Sequence, residues 1–171
     1  KSLPTPDEAG TPRDDLYVER TASATPDMRA DGAGAICRLS AENGLMSAGA
    51  FSTSSQEIAV GNSLGIFSYG SDTSANLLTV IMGENSSGYA SSTSRDVGDI
   101  DAESVAREAV DKTLKSRNPI DVEPGEYTVV LEEYAMGGLL EYLALSGGFS
   151  GLALQEGRSF LKPGEQITGS N

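Results

Sequence analysis

Histidine and tryptophan are missing from this chain, cysteine occurs once, and Lys and Arg number 12 against 25 Asp and Glu. Each shortage excludes something. Without imidazole the chain alone builds no Ser-His-Asp triad, no Cys-His pair and no imidazole-ligated zinc site. The single thiol, Cys37, rules out an internal disulfide framework and fits a reducing compartment, so the expected location is the cytoplasm. A net charge of −13 repels phosphate backbones and anionic lipid, so neither nucleic acid nor a membrane surface is an expected partner. No apolar run approaches the ~20 residues of a membrane helix, and no basic-then-apolar leader opens the chain.

What is present reads as an α+β chain: an antiparallel sheet meander with helices on one face, followed by the start of a second, β-rich domain. Three segments are expected: an arm or linker over 1–24, a central α+β domain over 25–118, and the truncated start of a C-terminal domain over 119–171. The arm holds Pro4, Pro6, Pro12 and Gly10 with little apolar spacing, and residues 15–20 suit a short extended piece.

Thr25-Pro26-Asp27 is a helix start, with a hydroxyl cap, proline at the first helical position and a carboxylate near the positive dipole end. That helix is expected to reach Asn43 and stop at Gly44, with Gly32 and Gly34 marking close packing. Short β runs follow near 45–53, 56–61, 64–70, 76–83 and 87–94, with turns at Gly61-Asn62-Ser63 and Gly70-Ser71-Asp72. Leu77–Met82, the most apolar run, is expected to be the central strand. Asp101 caps a second helix whose Val105, Ala106, Ala109, Val110 and Thr113 make a core stripe. Pro124-Gly125 then launches a strand over 127–132 and a helix to about Leu145, with Met136, Leu139, Leu140 and Leu143 on one face. Ser146-Gly147-Gly148 closes that helix.

Candidate chemistry is sparse. Asp96, Asp99, Asp101 and Glu103 form the densest carboxylate run, but their spacing fits no EF-hand loop, and helix capping accounts for them more simply. Glu132, Glu133 and Glu141 are better read as dipole complements near a helix than as a glycosidase pair. Gly147–Gly151 lacks the lysine of a phosphate-binding loop. No catalytic residue and no metal ligand is assigned within the chain.

The run Gly49–Gly65, containing Asn62-Ser63-Leu64-Gly65, the helix after Asp101, the Pro124-Gly125-Glu126-Tyr127 strand and Gly138-Leu139-Leu140 occur in an order that resembles the PmbA/TldD family, over roughly residues 25–168. That family is known as modulators of DNA gyrase and as zinc metalloproteases. The resemblance implies heterodimers: a TldD-like subunit carries a His-Glu-x-x-x-His helix, and a TldE-like (PmbA) subunit has the same fold without it. It also implies an N-terminal region and a C-terminal half beyond this chain. Carried over, the motif falls on Glu141 and Tyr142, with its second histidine near Ser146, and none of the three matches. Asn62, Ser63, Gly65 and Gly125 fall on family positions with structural roles.

The expectation that follows is a non-catalytic TldE-like subunit or fragment of a metalloprotease complex. Zinc would sit in the partner subunit, and peptide would be the substrate. Two alternatives stay open. One is an independent peptide-binding or scaffold module, and the other is a fragment of an active metallopeptidase whose zinc ligands lie outside this chain.

Overall fold

The computed structural model describes residues 3–8, 15–145 and 148–166. It divides into two units, Lys1–Asp121 and Val122–Asn171.

In the first unit a short helix α1 (Glu19–Ala22) precedes helix α2 (Pro26–Glu42), strands β1 (Met46–Gly61), β2 (Phe67–Met82) and β3 (Ser87–Ser94), and helix α3 (Ala102–Lys115). The extended piece expected over 15–20 gives way to α1 from Glu19. Leu16 and Val18 still bond to Thr73 of β2, through the Thr73 N–H and the Thr73 hydroxyl respectively. Buried Thr21 then donates to the Arg95 carbonyl at 2.7 Å and accepts from the Val97 N–H at 2.7 Å. Both functions of this buried hydroxyl are thereby satisfied.

α2 begins and ends where its residues dictate. The Thr25 hydroxyl accepts from the Met28 N–H at 3.3 Å, and Pro26 takes the first helical position. At the other end Gly44 adopts a φ of 67°, which an L side chain resists. The Gly44 and Leu45 N–H groups then bond back to the Ala41 and Ser40 carbonyls, and Leu45 turns inward. α3 starts on Asp101, whose carboxylate accepts from the Ser104 N–H at 3.1 Å.

The sheet order is β1-β2-β3, all antiparallel, with the 77–82 run in the central strand. Five short strands were expected over this stretch, and the structure has three long ones. Residues 45–53 and 56–61 merge into β1, and 64–70 and 76–83 into β2. The Gly70-Ser71-Asp72 turn does not exist, because those residues pair across to Ile58, Glu57 and Gln56. Continuous cross-strand pairing outweighed local turn chemistry.

The register places odd-numbered residues of β1 and β2 on one face, and Thr73, Ala75, Leu77, Thr79 and Ile81 are buried there. α2 covers β1, and α3 covers β2 and β3. Ile36, Leu45, Leu77, Ile81, Ala90, Val105, Ala106, Ala109 and Val110 make the core. Full burial of Leu77 or Ile81 stabilises by about 1.5–3 kcal/mol each. α3 lies so close to β3 that a Cβ on Gly88 would stand 2.2 Å from the Ala109 carbonyl oxygen. The Thr113 hydroxyl is 2.8 Å from both the Ile81 and Ala109 carbonyls, which ties helix to sheet.

Among the described residues of this unit, no helix covers the opposite, even-numbered face. It is apolar at one end, with Met46, Leu78, Val80 and Met82, and polar in the middle, with Ser52, Ser54, Asn76 and Ser74.

The second unit holds helices α4 (Glu133–Leu145) and α5 (Gly151–Gln155). The strand expected over 127–132 is not paired into a sheet, and no strand occurs among the described residues of this unit. A strand exists only where another edge supplies hydrogen bonds, and here Val129 and Val130 are exposed instead. Ser150 caps α5 by accepting from the Ala153 N–H at 3.3 Å, which is the role of the glycine-rich loop's one hydroxyl.

Candidate functional site

The positions singled out for a degenerate protease helix fall on α4. Glu141 and Tyr142 are adjacent in that helix and both exposed, and Ser146 lies outside the described residues. Successive helical residues project about 100° apart, so the carboxylate and the phenol do not converge on one point. A zinc site of the metallopeptidase kind needs two imidazoles on one face and a glutamate beside them. α4 supplies the carboxylates of Glu133 and Glu141 and no imidazole, so its residues do not fit a catalytic zinc of that kind. Met136, Leu139, Leu140 and Leu143 of the same helix are exposed, Leu139 at 52% and Leu140 at 51%.

Asn62, Ser63 and Gly65 build the hairpin turn between β1 and β2. The Asn62 carboxamide oxygen accepts from the Leu64 N–H at 3.0 Å and the Ile66 N–H at 3.1 Å, mimicking backbone inside the turn. Its amide nitrogen donates to the Pro4 carbonyl at 2.9 Å. Gly65 takes a φ of 97°, open only to glycine without strain, while Ser63 is exposed. Gly125 lies beside the Tyr127 ring, where a Cβ would stand 3.4 Å from it, and the Tyr127 hydroxyl donates to the Glu123 carbonyl. These are turn-building roles, and none of the four brings reactive groups together.

The carboxylate run before α3 is fully engaged in structure. Asp96 accepts from the Gly98 N–H at 2.8 Å and pairs with Arg20 at 3.6 Å, and Asp99 accepts from the Ser94 hydroxyl at 2.8 Å. Asp101 caps α3, and Glu103 pairs with Arg38 at 2.8 Å and with Arg107. Among the described residues no cluster of three or more His, Cys, Asp or Glu side chains could hold a metal ion.

One feature was missed in the sequence. A cleft of about 410 Å³ opens between α2 and β1, lined by Ala33, Ile36, Cys37, Ser47, Gly49 and Phe51 among others. It contains no charged side chain, and the Ser47 hydroxyl points at the Cys37 sulfur, 3.9 Å away. Cys37, whose lack of a histidine partner points to a small buried hydrophobe, is instead exposed at its rim. The signal was the alternation of small residues, Ser47 and Gly49, on the face of β1 that α2 covers. Gly32 brings helix and strand together just beyond, since a Cβ there would meet the Phe51 ring at 2.7 Å.

A helix-covered antiparallel sheet with a long first hairpin defines the class of this domain. Residues 14–117 match the family model of the PmbA/TldA metallopeptidase central domain, and the chain belongs to the PmbA/TldD family. Among solved structures it is similar to a candidate modulator of DNA gyrase from Bacteroides thetaiotaomicron, at 23% identity and a TM-score of 0.74, covering 94% of this chain and 39% of that one. It is also similar to a candidate gyrase modulator from Thermotoga maritima, at 16% identity and a TM-score of 0.53, covering 68% of this chain and 29% of that one. These likenesses show a shared fold, and the chain spans well under half the length of either protein. A search of curated proteins finds no match. Among the described residues no helix is long and apolar enough to cross a membrane.

Proposed function

We propose that this chain is part of a non-catalytic, TldE-like subunit that works in the cytoplasm beside a TldD-like subunit of a metallopeptidase heterodimer. The observation that carries the reading is the lack of any histidine in 171 residues, together with Glu141 and Tyr142 where the protease helix would place its first ligand and its base. In this reading the partner holds zinc and performs the hydrolysis of peptide. α4 keeps its apolar side chains and contributes them to packing and partner contact.

The test is zinc analysis and a peptidase assay on the full-length protein, alone and mixed with a TldD-like subunit. No zinc and no hydrolysis are expected from the protein alone, with hydrolysis appearing in the mixture. Stoichiometric zinc and peptide cleavage without the partner would overturn the reading, and would place the missing ligands elsewhere in the same polypeptide.

A further inference from the structure

The arm of the β1–β2 hairpin gathers two aromatic rings and two carboxylates on one open face. The register sets Glu57 opposite Ser71 and Tyr69 opposite Ala59, so Glu57 and Tyr69 are diagonal neighbours on the odd-numbered face. α2 bonds to β1 at Thr53, through Arg29 at 2.9 Å, and beyond that point every residue from Ser54 to Gly61 is exposed.

The residues before α1 bring in the second pair. The Leu16 carbonyl accepts from the Thr73 N–H at 3.1 Å, and the Val18 N–H donates to the Thr73 hydroxyl at 3.0 Å. These bonds anchor Tyr17 beside the strand that carries Tyr69. The Tyr17 hydroxyl donates to the Glu19 carboxylate at 3.1 Å. That bond first, then desolvation and the charges of Glu19, Glu57 and Tyr69, raises the Tyr17 pKa above the usual 10.0, so Tyr17 lies within electrostatic reach of the hairpin pair.

Both rings are open to solvent, Tyr17 at 38% and Tyr69 at 49%. Among the described residues neither Glu19 nor Glu57 forms an ion pair: Arg20 is turned to Asp96 at 3.6 Å, and Arg95 to Asp15 at 3.9 Å. Exposed phenol faces beside carboxylates without a counter-ion receive an organic cation, because the ring quadrupole attracts positive charge and the carboxylates take its N–H donors.

The mixture of groups selects among cations. A quaternary ammonium has no N–H for the carboxylates, and a lysine ammonium is a strongly hydrated point charge that an open surface strips poorly of water. A guanidinium is planar and weakly hydrated, and it lies flat on a phenol ring while its edge forks to a carboxylate.

We propose that Tyr17, Glu19, Glu57 and Tyr69 form a binding site for the guanidinium of an arginine side chain presented by a peptide. The net charge of −13 draws a cationic peptide toward the whole surface, and these side chains fix where its arginine lodges. The site uses only the hairpin arm and the residues before α1, so it stands whether or not the chain works beside a zinc-bearing subunit.

The test is an NMR titration of the 171-residue chain, followed at the tyrosine ring carbons, with N-acetyl-arginine amide as the probe. Saturable shifts are expected at Tyr17 and Tyr69, with weaker binding of N-acetyl-lysine amide and none of the uncharged citrulline analogue. Glu57→Gln and Tyr69→Leu, both at exposed positions, should leave the circular dichroism unchanged and each weaken binding about threefold or more. Glu84→Gln removes an exposed carboxylate at the opposite end of β2 and should leave binding as it is. No saturable shift at either ring overturns the proposal, as does equal binding of the lysine or citrulline compound. So does a loss with Glu84→Gln as large as that with Glu57→Gln, which would mean general attraction to a negative surface.

Discussion

α3 and α4 are helices of 14 and 13 residues with opposite relations to their surroundings. α3 is amphipathic. Its Val105, Ala106, Ala109, Val110 and Thr113 are buried against the sheet, while Arg107, Asp111 and Lys115 face solvent. α4 is richer in large apolar residues, yet Met136, Leu139, Leu140 and Leu143 are all exposed. Apolar content alone does not bury a helix; a facing surface of matching shape does. In the first unit that surface is the odd-numbered side of the sheet, and within the second unit the described residues offer α4 nothing equivalent.

The largest expected effect tests this contrast directly. Ile81→Ala removes a fully buried side chain between sheet and α3 and should cost about 2–5 kcal/mol. Leu139→Ala on α4 should change stability by about 0.5 kcal/mol or less. Denaturant midpoints of the two variants measure the difference. Equal losses would mean that α4 is covered in solution, and the contrast between the helices would fall.

A second test uses two glycines of α2 that look alike in sequence. A methyl group on Gly32 would stand 2.7 Å from the Phe51 ring, whereas around Gly34 nothing lies within 4 Å. Gly32→Ala should therefore destabilise by about 1–3 kcal/mol through overpacking. Gly34→Ala should stabilise by about 0.5–1 kcal/mol by limiting the freedom of the unfolded chain. Thermal melts give opposite signs if close packing is confined to Gly32, and the same sign for both would refute that.

These glycines show how far the sequence could be read. Local chemistry announced the ends of helices: Thr25-Pro26, Gly44 and Asp101 each act as their residue types require. Strand length was not legible, because Ser54, Ser55, Ser71 and Asp72 are turn formers that become strand when they face one another across a long hairpin. Pairing partners lie far apart in the chain, and no local window contains them. Nor could the sequence separate Gly32 from Gly34, since the distinction is the position of Phe51.

At the candidate site, the mismatch of Glu141 and Tyr142 with a zinc motif was visible directly. The cleft beside Cys37 was not, because it arises from the stacking of α2 on two small residues of β1.

A smaller effect is expected where α3 meets its cap. Asp101→Ala deletes the bond to the Ser104 N–H and should cost about 1 kcal/mol, while Asp101→Asn should retain most of the stability because the amide oxygen still accepts. Chemical denaturation of the pair separates the cap from the carboxylate's charge. Equal losses in both would assign the effect to the helix dipole instead.

The smallest effect belongs to the exposed arm of the β1–β2 hairpin, the counterpart of the buried sheet centre. Tyr69 and Glu57 share the odd-numbered face of neighbouring strands, and hydrogen bonding toward the Glu57 carboxylate first, then partial desolvation and the nearby negative charge, raises the Tyr69 pKa above the usual 10.0. Ionising the phenol removes the donor and sets two negative groups together, so the folded hairpin favours the protonated form. The stability this adds is fully present below the unfolded tyrosine pKa and is lost as pH rises through the higher folded value.

Because the pair is open to solvent, its effect on melting should be slight, and the readable quantity is the titration itself. Glu57→Gln removes the carboxylate and should bring the Tyr69 titration down toward 10.0, followed by NMR of the ring carbons. A Tyr69 that titrates the same with and without Glu57 would show that the hairpin arm does not hold the two groups together in solution.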